Sequence, residues 1–364
     1  MILSTPKDYK PNGVILENIL ELKDETFGEM KQRYSKQGYF SASTTPTLLG
    51  LYGSAYEVFD NMRADTPLDL SHNPKVRFGN VIEEWIAETA SNLMNVDVFF
   101  DPYMIGNKDD PWICCNKDYH VSSVMGHHKW AMECKSTSSW AIIKKLGEDG
   151  SEDTAEGYYL QCQHQMLCDD LEGVFNPVLI IKESKYINVA LDLIESGEDP
   201  NLVMEDIPWE MRVFRVKRNE EVIGKIKNHL VSLRKIFLDG GNPTVDSSDA
   251  TTKVLKNKER SGDWVDVDSS KSKTIVSMFI DDIFAIREKR SKAKSLSDEA
   301  KALENKLLEA LGDHCGISID GRAEMEVKKV TQTRFDTSRF KKEEPELYVK
   351  YNKDVISNRI KYFD

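Results

Sequence analysis

Between Val96 and Ser139 the chain carries a succession of short strand-like runs, VDVFFDPYMI, WICCNKDYHVSSVM and KWAMECKSTSS, each broken by turn residues. Segments of helical periodicity flank this window on both sides, which restricts the chain to an α/β class with helices packed on a sheet. Upstream, KVRFGNVIEEWIAETASNLM sets Phe78, Ile82, Trp85, Ile86 and Leu93 on one helical face, with Glu84 nearly opposite and Glu83 at its edge. Residues 15–35 also read as helix, and the Ser/Thr caps and proline of SASTTPTLLG start another that LYGSAYEVFDNMR continues. Downstream, GYYLQCQHQMLCDD returns to helix, GVFNPVLIIK and YINVALDL read as strands, and EEVIGKIKNHLVSLRKIFLDG forms a helix ending at Gly240–Gly241.

Residues 242–272 are rich in Ser, Asp and Lys and poor in apolar residues, as a linker or long surface loop would be. The expected layout is a core over 1–241, a polar linker or loop over 242–272, and an appendage over 273–364. The appendage reads as a helical pair, the second helix starting at Ser295 with Asp298 and carrying a seam of Ala300, Leu303, Leu307 and Leu311. A hairpin turned at Asp320–Gly321 and a tail follow. An amphipathic pair of this kind ordinarily braces its own domain.

A net charge of −12 excludes a protein that coats nucleic acid through a broadly basic surface, though it leaves room for a local basic channel. The positive clusters Lys31/Arg33/Lys36, Lys144/Lys145, Lys217/Arg218 and Arg339/Lys341/Lys342 read as solvated faces. No apolar run approaches the roughly 18 residues a membrane span needs, and MILSTPKDYKPNG has no secretory pattern. The six cysteines follow no metal-ligand spacing, so reduced thiols in a cytoplasm are expected.

The chemistry sits in KWAMECKST. In an extended strand Glu133 and Lys135 share one face, and Met132 and Cys134 share the other. A two-residue turn at Met125–Gly126 would bring Asp118 directly opposite Glu133, with Gly126 supplying the positive φ of a type I′ turn; GHHK allows a longer turn as well. His127 and His128 then fall in the turn, as solvated residues. Two converging carboxylates repel unless a cation lies between them, and all-oxygen ligation favours Mg²⁺ or Mn²⁺ over zinc. Such a site with a neighbouring ammonium suits metal-assisted phosphodiester hydrolysis.

NKDYHV…MECKST resembles the D…E-x-K core of the PD-(D/E)XK nuclease superfamily. Three further pieces resemble the YqaJ-like viral recombination exonucleases of the bacteriophage lambda exonuclease type. RFGNVIEEW is similar to that family's G-x-x-x-E helix, with Glu83 in the acidic place. YYLQCQHQM is similar to its Y-x-x-Q-x-Q-x-x-M helix, with Tyr158, Gln161, Gln163 and Met166 in the matching places. YFSAS is similar to the segment whose serine holds a 5′-phosphate, here Ser43, with Lys36 or Arg33 as the upstream basic residue. The sequence departs from the pattern at Lys117, where the family carries a proline before the aspartate.

The resemblance implies a central mixed sheet flanked by helices (a restriction-endonuclease-like fold). It implies Mg²⁺, replaceable by Mn²⁺, held by Asp118, Glu133 and the backbone carbonyl of Cys134. Lys135 would activate the attacking water, with Glu83 and Gln161 in support. The implied activity is processive 5′→3′ resection of linear double-stranded DNA in the cytoplasm of a bacterial host, feeding a single-strand annealing protein, in some members as a trimeric ring. Alternatives on the same fold are an endonuclease, a CRISPR-associated iron–sulfur nuclease, or a catalytically inactive protein that binds DNA ends. An iron–sulfur cluster needs grouped thiols, and only Cys315 lies near the C-terminus.

Overall fold

The computed structural model describes residues 2–122, 129–257, 280–311, 316–319, 322–326, 340 and 342–347. It divides into two compact units, Met1–Leu255 and Lys256–Asp364.

The strands of the first unit, in chain order, are β1 (Ile2–Leu3), β2 (Val14–Asn18), β3 (Phe40–Ser41), β4 (Asp97–Phe100), β5 (Tyr103–Gly106), β6 (Ile113–Asn116), β7 (Tyr119–Ser122), β8 (Trp130–Met132), β9 (Lys135–Thr137), β10 (Gly173–Ile180) and β11 (Glu210–Lys217). A seven-stranded sheet runs β1-β4-β7-β8-β10-β11, with β9 also on β10; a four-stranded sheet runs β2-β5-β6-β3. The larger sheet is mixed, as expected: β8 and β9 run parallel to β10, and the β4–β7, β7–β8 and β10–β11 pairs are antiparallel. The second sheet was not legible in the sequence. The chain changes sheet four times, between β1 and β2, β3 and β4, β4 and β5, and β6 and β7; the two short crossovers, Asp101–Pro102 and Lys117–Asp118, touch where Asp101 N–H donates to the Asp118 carbonyl at 3.3 Å.

The helices are α1 (Phe27–Lys36), α2 (Thr45–Leu48), α3 (Ala55–Arg63), α4 (Pro74–Met94), α5 (Trp140–Ile143), α6 (Glu156–Asp169), α7 (Ser184–Glu195), α8 (Pro200–Glu205), α9 (Glu220–Leu238) and α10 (Asp249–Asn257). They cover both faces of the larger sheet. Ala131, Val178 and Ile180 point toward α6 and α9, while Met132, Leu179 and Ile181 point toward α4, α7 and α8, the alternation a doubly covered sheet requires.

Several expectations are corrected. The helix read over 15–35 is β2 followed by α1, which starts only at the capping box of Thr26 and Glu29. YINVALDL lies in α7, because Ile187, Ala190 and Leu191 bury at i, i+3 and i+4 despite their β-branched neighbours. Leu93, placed on the core face of α4, is 65% exposed near the helix end, whereas Phe78, Ile82, Trp85 and Ile86 are buried as expected. Within the stretch read as linker, residues 249–257 are helical, and buried Thr251 donates its hydroxyl to Ser54 Oγ at 2.8 Å.

KWAMECKST is two strands rather than one. β8 and β9 keep the same register on β10, with Met132 facing Phe175 and Lys135 facing Val178, but the ladder is interrupted at Glu133–Cys134. The cause is Pro177. In this parallel register Glu133 N–H donates to the Phe175 carbonyl at 2.9 Å, and the return bond to the Glu133 carbonyl would come from residue 177, which has no N–H. The Asn176 side-chain amide donates in its place, at 2.7 Å.

In the second unit, one helix, α11 (Ile280–Leu311), replaces the expected pair. No Gly or Pro interrupts it, and Ser295 bonds Glu299 one turn on instead of capping a new helix. The strands β12 (Gly316–Ile319) and β13 (Arg322–Glu326) pair antiparallel around Asp320–Gly321, as expected; those two residues lie outside the described ones, as do Cys315 and the turn at Met125–Gly126 with His127 and His128. No helix among the described residues is long and apolar enough to cross a membrane.

Candidate active site

Tyr119 faces Met132 and His120 faces Ala131 across the antiparallel β7–β8 pair, so one step further the same register sets Asp118 opposite Glu133. It is the register that a two-residue turn at Met125–Gly126 would give. Asp118 sits in the crossover from β6 to β7, and its Oδ2 accepts a hydrogen bond from Cys134 N–H at 2.8 Å. Glu133, only 3% exposed, sits in the interruption that Pro177 creates between β8 and β9. Its Oε1 accepts from Lys135 Nζ and from Gln161 Nε2, and its Oε2 accepts from Gln165 Nε2.

Asp118, Glu133, Lys135 and Gln161 line a cavity of about 280 Å³, together with Glu83 from α4 and Ser43. The edge position of Glu83 on the helical wheel therefore corresponds to a place at the cavity wall, while Glu84 faces solvent. Ser43 Oγ lies 3.1 Å from Ser41 Oγ.

The electrostatics follow from crowding acids in a buried place. Burial, then the charges of Glu133 and Glu83, pushes the Asp118 carboxyl well above the usual carboxylate range. Glu83 is raised for the same reasons, burial first and Glu133 next. Burial alone would lower the Lys135 ammonium, but Glu133 and Asp118 more than reverse it and hold the lysine protonated. Cys134 is buried on the α4 side and its thiol is pushed well up by that burial, so the side chain is inert and only its backbone faces the site.

Among the described residues, no three His, Cys, Asp or Glu side chains gather as a ready cation cage. A cation here would need a backbone oxygen as its third protein ligand. Asp118 and Glu133 supply hard carboxylate oxygens on chain segments joined by the Cys134–Asp118 hydrogen bond, and the Cys134 carbonyl would be the backbone oxygen beside them. The mutual repulsion that raises Asp118 and Glu83 would be relieved by a positive ion among them.

Two expected residues stand elsewhere. Arg33 bonds Glu25 and lies 3.3 Å from Glu17, Lys36 lies 3.2 Å from Asp65, and both line a separate surface groove. The basic residue that α1 turns toward the cavity is Lys31, one turn after Phe27, with Nζ 4.1 Å from the Phe27 ring centroid. Burial lowers its pKa, opposed by the nearby charges of Asp118 and Glu133. Its i+4 relation to Phe27 and its place beside buried Met30 were the available signals.

Gln165 was also missed, although it lies one helical turn from Gln161 and so shares its face. Gln163, two residues from either, turns away: it donates to the Lys217 carbonyl at 2.7 Å and accepts from Asn219 N–H at 2.9 Å, tying α6 to the β11–α9 junction.

Residues 12–172 match the YqaJ-like viral recombinase domain. The chain is 22% identical over 320 residues to the uncharacterized protein YqaJ of Bacillus subtilis (strain 168), covering 87% of this chain and 88% of the relative. Among solved structures it is similar to an alkaline exonuclease (LHK-Exo) from Laribacter hongkongensis, with 13% identity, 58% of this chain and 93% of that chain covered, and a TM-score of 0.41. It is also similar to a phage-related exonuclease from Haemophilus somnus 129PT, with 16% identity, 56% and 96% coverage, and a TM-score of 0.39.

Proposed function

We propose, from the premise that residues 12–172 form a YqaJ-like viral recombinase domain, that this protein is a metal-dependent exonuclease acting on the ends of linear double-stranded DNA. The observation that carries the proposal is the convergence of Asp118, Glu133 and Lys135 on one cavity, with Gln161 bonded to Glu133. Asp118, Glu133 and the Cys134 carbonyl would hold Mg²⁺, or Mn²⁺ in its place. When bound, that ion supplies Lewis-acid polarisation of the scissile phosphodiester and lowers the pKa of water.

The chain's own groups do the rest. Lys135, an ammonium in this setting, orients the attacking water and offsets charge that develops on the phosphate. Gln161 and Gln165 hold the Glu133 carboxylate from both oxygens. Lys31 and Ser43, which both line the cavity, would receive the terminal 5′-phosphate and so set a 5′→3′ polarity, with Lys31 in the role first assigned to Lys36 or Arg33. Glu83 supports the cluster from α4.

With a net charge of −12 the surface offers little general attraction for DNA, so retention by enclosure, as in a trimeric ring, fits better than retention by charge. The single-stranded product would pass to an annealing protein.

The test is an end-labelled linear duplex, 5′-phosphorylated or not, incubated with Mg²⁺ and the wild type, Lys135→Ala or Glu133→Ala. The wild type is expected to degrade the phosphorylated duplex from its 5′ ends, with both variants inactive. Undiminished degradation by either variant refutes the site. Equal attack on covalently closed circles makes the protein an endonuclease, and end binding without cleavage makes it an inactive relative.

A further inference from the structure

Lys117 is the residue at which the sequence departs from the family pattern, and it is one of the most completely buried charges in the molecule. Its side chain is 0% exposed, as are those of Asp101 and Asp169, its two acidic partners. Nζ lies 2.8 Å from Asp101 Oδ2, donates to Asp169 Oδ2, and lies 3.2 Å from the Tyr9 hydroxyl, so three N–H donors meet three acceptors. The remaining carboxylate oxygens are also taken. Asp101 Oδ1 accepts from Tyr103 N–H at 3.1 Å, Asp101 Oδ2 also accepts from the Tyr9 hydroxyl at 2.7 Å, and Asp169 Oδ1 accepts from Gly13 N–H at 2.8 Å.

A buried ion cluster adds little stability over well-packed apolar side chains of the same volume, so stability alone does not account for a lysine here. What the cluster joins is more telling. Asp101 holds the backbone of Asp118 through its own N–H, and Asp169 ends α6, the helix whose Gln161 and Gln165 hold Glu133. Lys117 is thus the tie between the crossover that carries one carboxylate and the helix that holds the other.

We infer that Lys117 is a positioning residue: by tying the Asp118 crossover to the end of α6, it sets the separation of the Asp118 and Glu133 carboxylates and thereby the affinity of the site for a divalent cation. The inference rests on the nuclease reading of the site. It places no charge of Lys117 on DNA, so the affinity for duplex ends is independent of it.

The experiment compares wild type, Tyr9→Phe, and the variant Lys117→Met/Asp101→Asn/Asp169→Asn, in which no unpaired charge is left buried. Mn²⁺ binding to the metal-free proteins is read by electron paramagnetic resonance without DNA, alongside the urea midpoint, kcat and the KM for duplex ends. The triple variant is expected to keep a urea midpoint near wild type and an unchanged KM, while its Mn²⁺ affinity and kcat fall about 10- to 100-fold. Tyr9→Phe should move both quantities the same way by less. Mn²⁺ affinity within about twofold of wild type in the triple variant overturns the inference, whatever happens to the urea midpoint. If the triple variant does not fold, unchanged Mn²⁺ affinity in Tyr9→Phe overturns it. A wild type that neither binds Mn²⁺ nor degrades DNA refutes the nuclease reading, and this inference with it; failure of the inference alone shows only in the variants.

Discussion

Asn176→Leu tests why the E-x-K strand is interrupted. The Asn176 amide donates to the Glu133 carbonyl at 2.7 Å, Asn176 Oδ1 accepts from the Thr154 hydroxyl at 2.8 Å, and the side chain is 0% exposed. Leucine keeps much of the volume and removes both partners. An orphaned buried carbonyl costs about 1–3 kcal/mol, and the Thr154 hydroxyl, at 8% exposure, recovers part of its loss by turning to water. The expected destabilisation is about 2–4 kcal/mol, or roughly 2–4 °C of melting temperature per kcal/mol for a unit of this size. The decisive comparison is with Pro177→Ala, which returns the missing N–H. In the wild-type background that change should cost about 0.4–1 kcal/mol through a freer unfolded chain. In the Asn176→Leu background it should instead restore a ladder bond to Glu133, giving a coupling of about 1–2 kcal/mol in a double-mutant cycle from urea denaturation. A coupling below about 0.5 kcal/mol would show that Pro177 is not the reason Asn176 is needed.

His164 is buried against Thr45 Oγ1 at 2.6 Å, and burial depresses its pKa to about 3. Between the ordinary value of 6.5 and about 3 the unfolded chain binds a proton the native state refuses, so stability is present above pH 6.5 and is lost as pH falls, by at most about 1.4 kcal/mol per unit. Urea midpoints at pH 7 and pH 5 should therefore lie closer together in His164→Asn than in wild type. Lys31→Met should raise the KM for 5′-phosphorylated ends about 10- to 100-fold, the worth of one charge-assisted hydrogen bond, and leave 5′-hydroxyl ends nearly unaffected. Lys36→Met and Arg33→Met should change neither, and an effect of Lys36→Met equal to that of Lys31→Met would contradict the placement. Ser297→Pro lies inside continuous α11, where proline costs about 3 kcal/mol, so circular dichroism should show lost helicity; unchanged helicity would restore the two-helix picture, in which residue 297 falls in a tolerant first turn.

Some of this site is a matter of counting along the chain. Side chains alternate along a strand, so Glu133 and Lys135 had to share a face, and the odd separation of Asp118 from Glu133 set them opposite in a two-residue hairpin register, which is the register observed. The same kind of periodicity buried Phe78, Ile82 and Trp85 and brought Glu83 to the cavity wall. Local periods say which residues travel together. They do not say which of several equivalent residues meets a partner distant in sequence. Lys31, Arg33 and Lys36 all lie on α1, and only the burial of Met30 against the second sheet decided that Lys31 turns inward while the others pair with acids at the surface. Gln165 and Gln163 are equally polar in the sequence, yet the position of Glu133 in the ladder separates a site residue from a helix tie. Lys117 beside Asp118 is only a departure from a pattern until the fold brings Asp101 and Asp169, 16 and 52 residues away, around its ammonium. Burial of a charge is a property of the three-dimensional surroundings, and only the tertiary structure supplies the partners that make it tolerable.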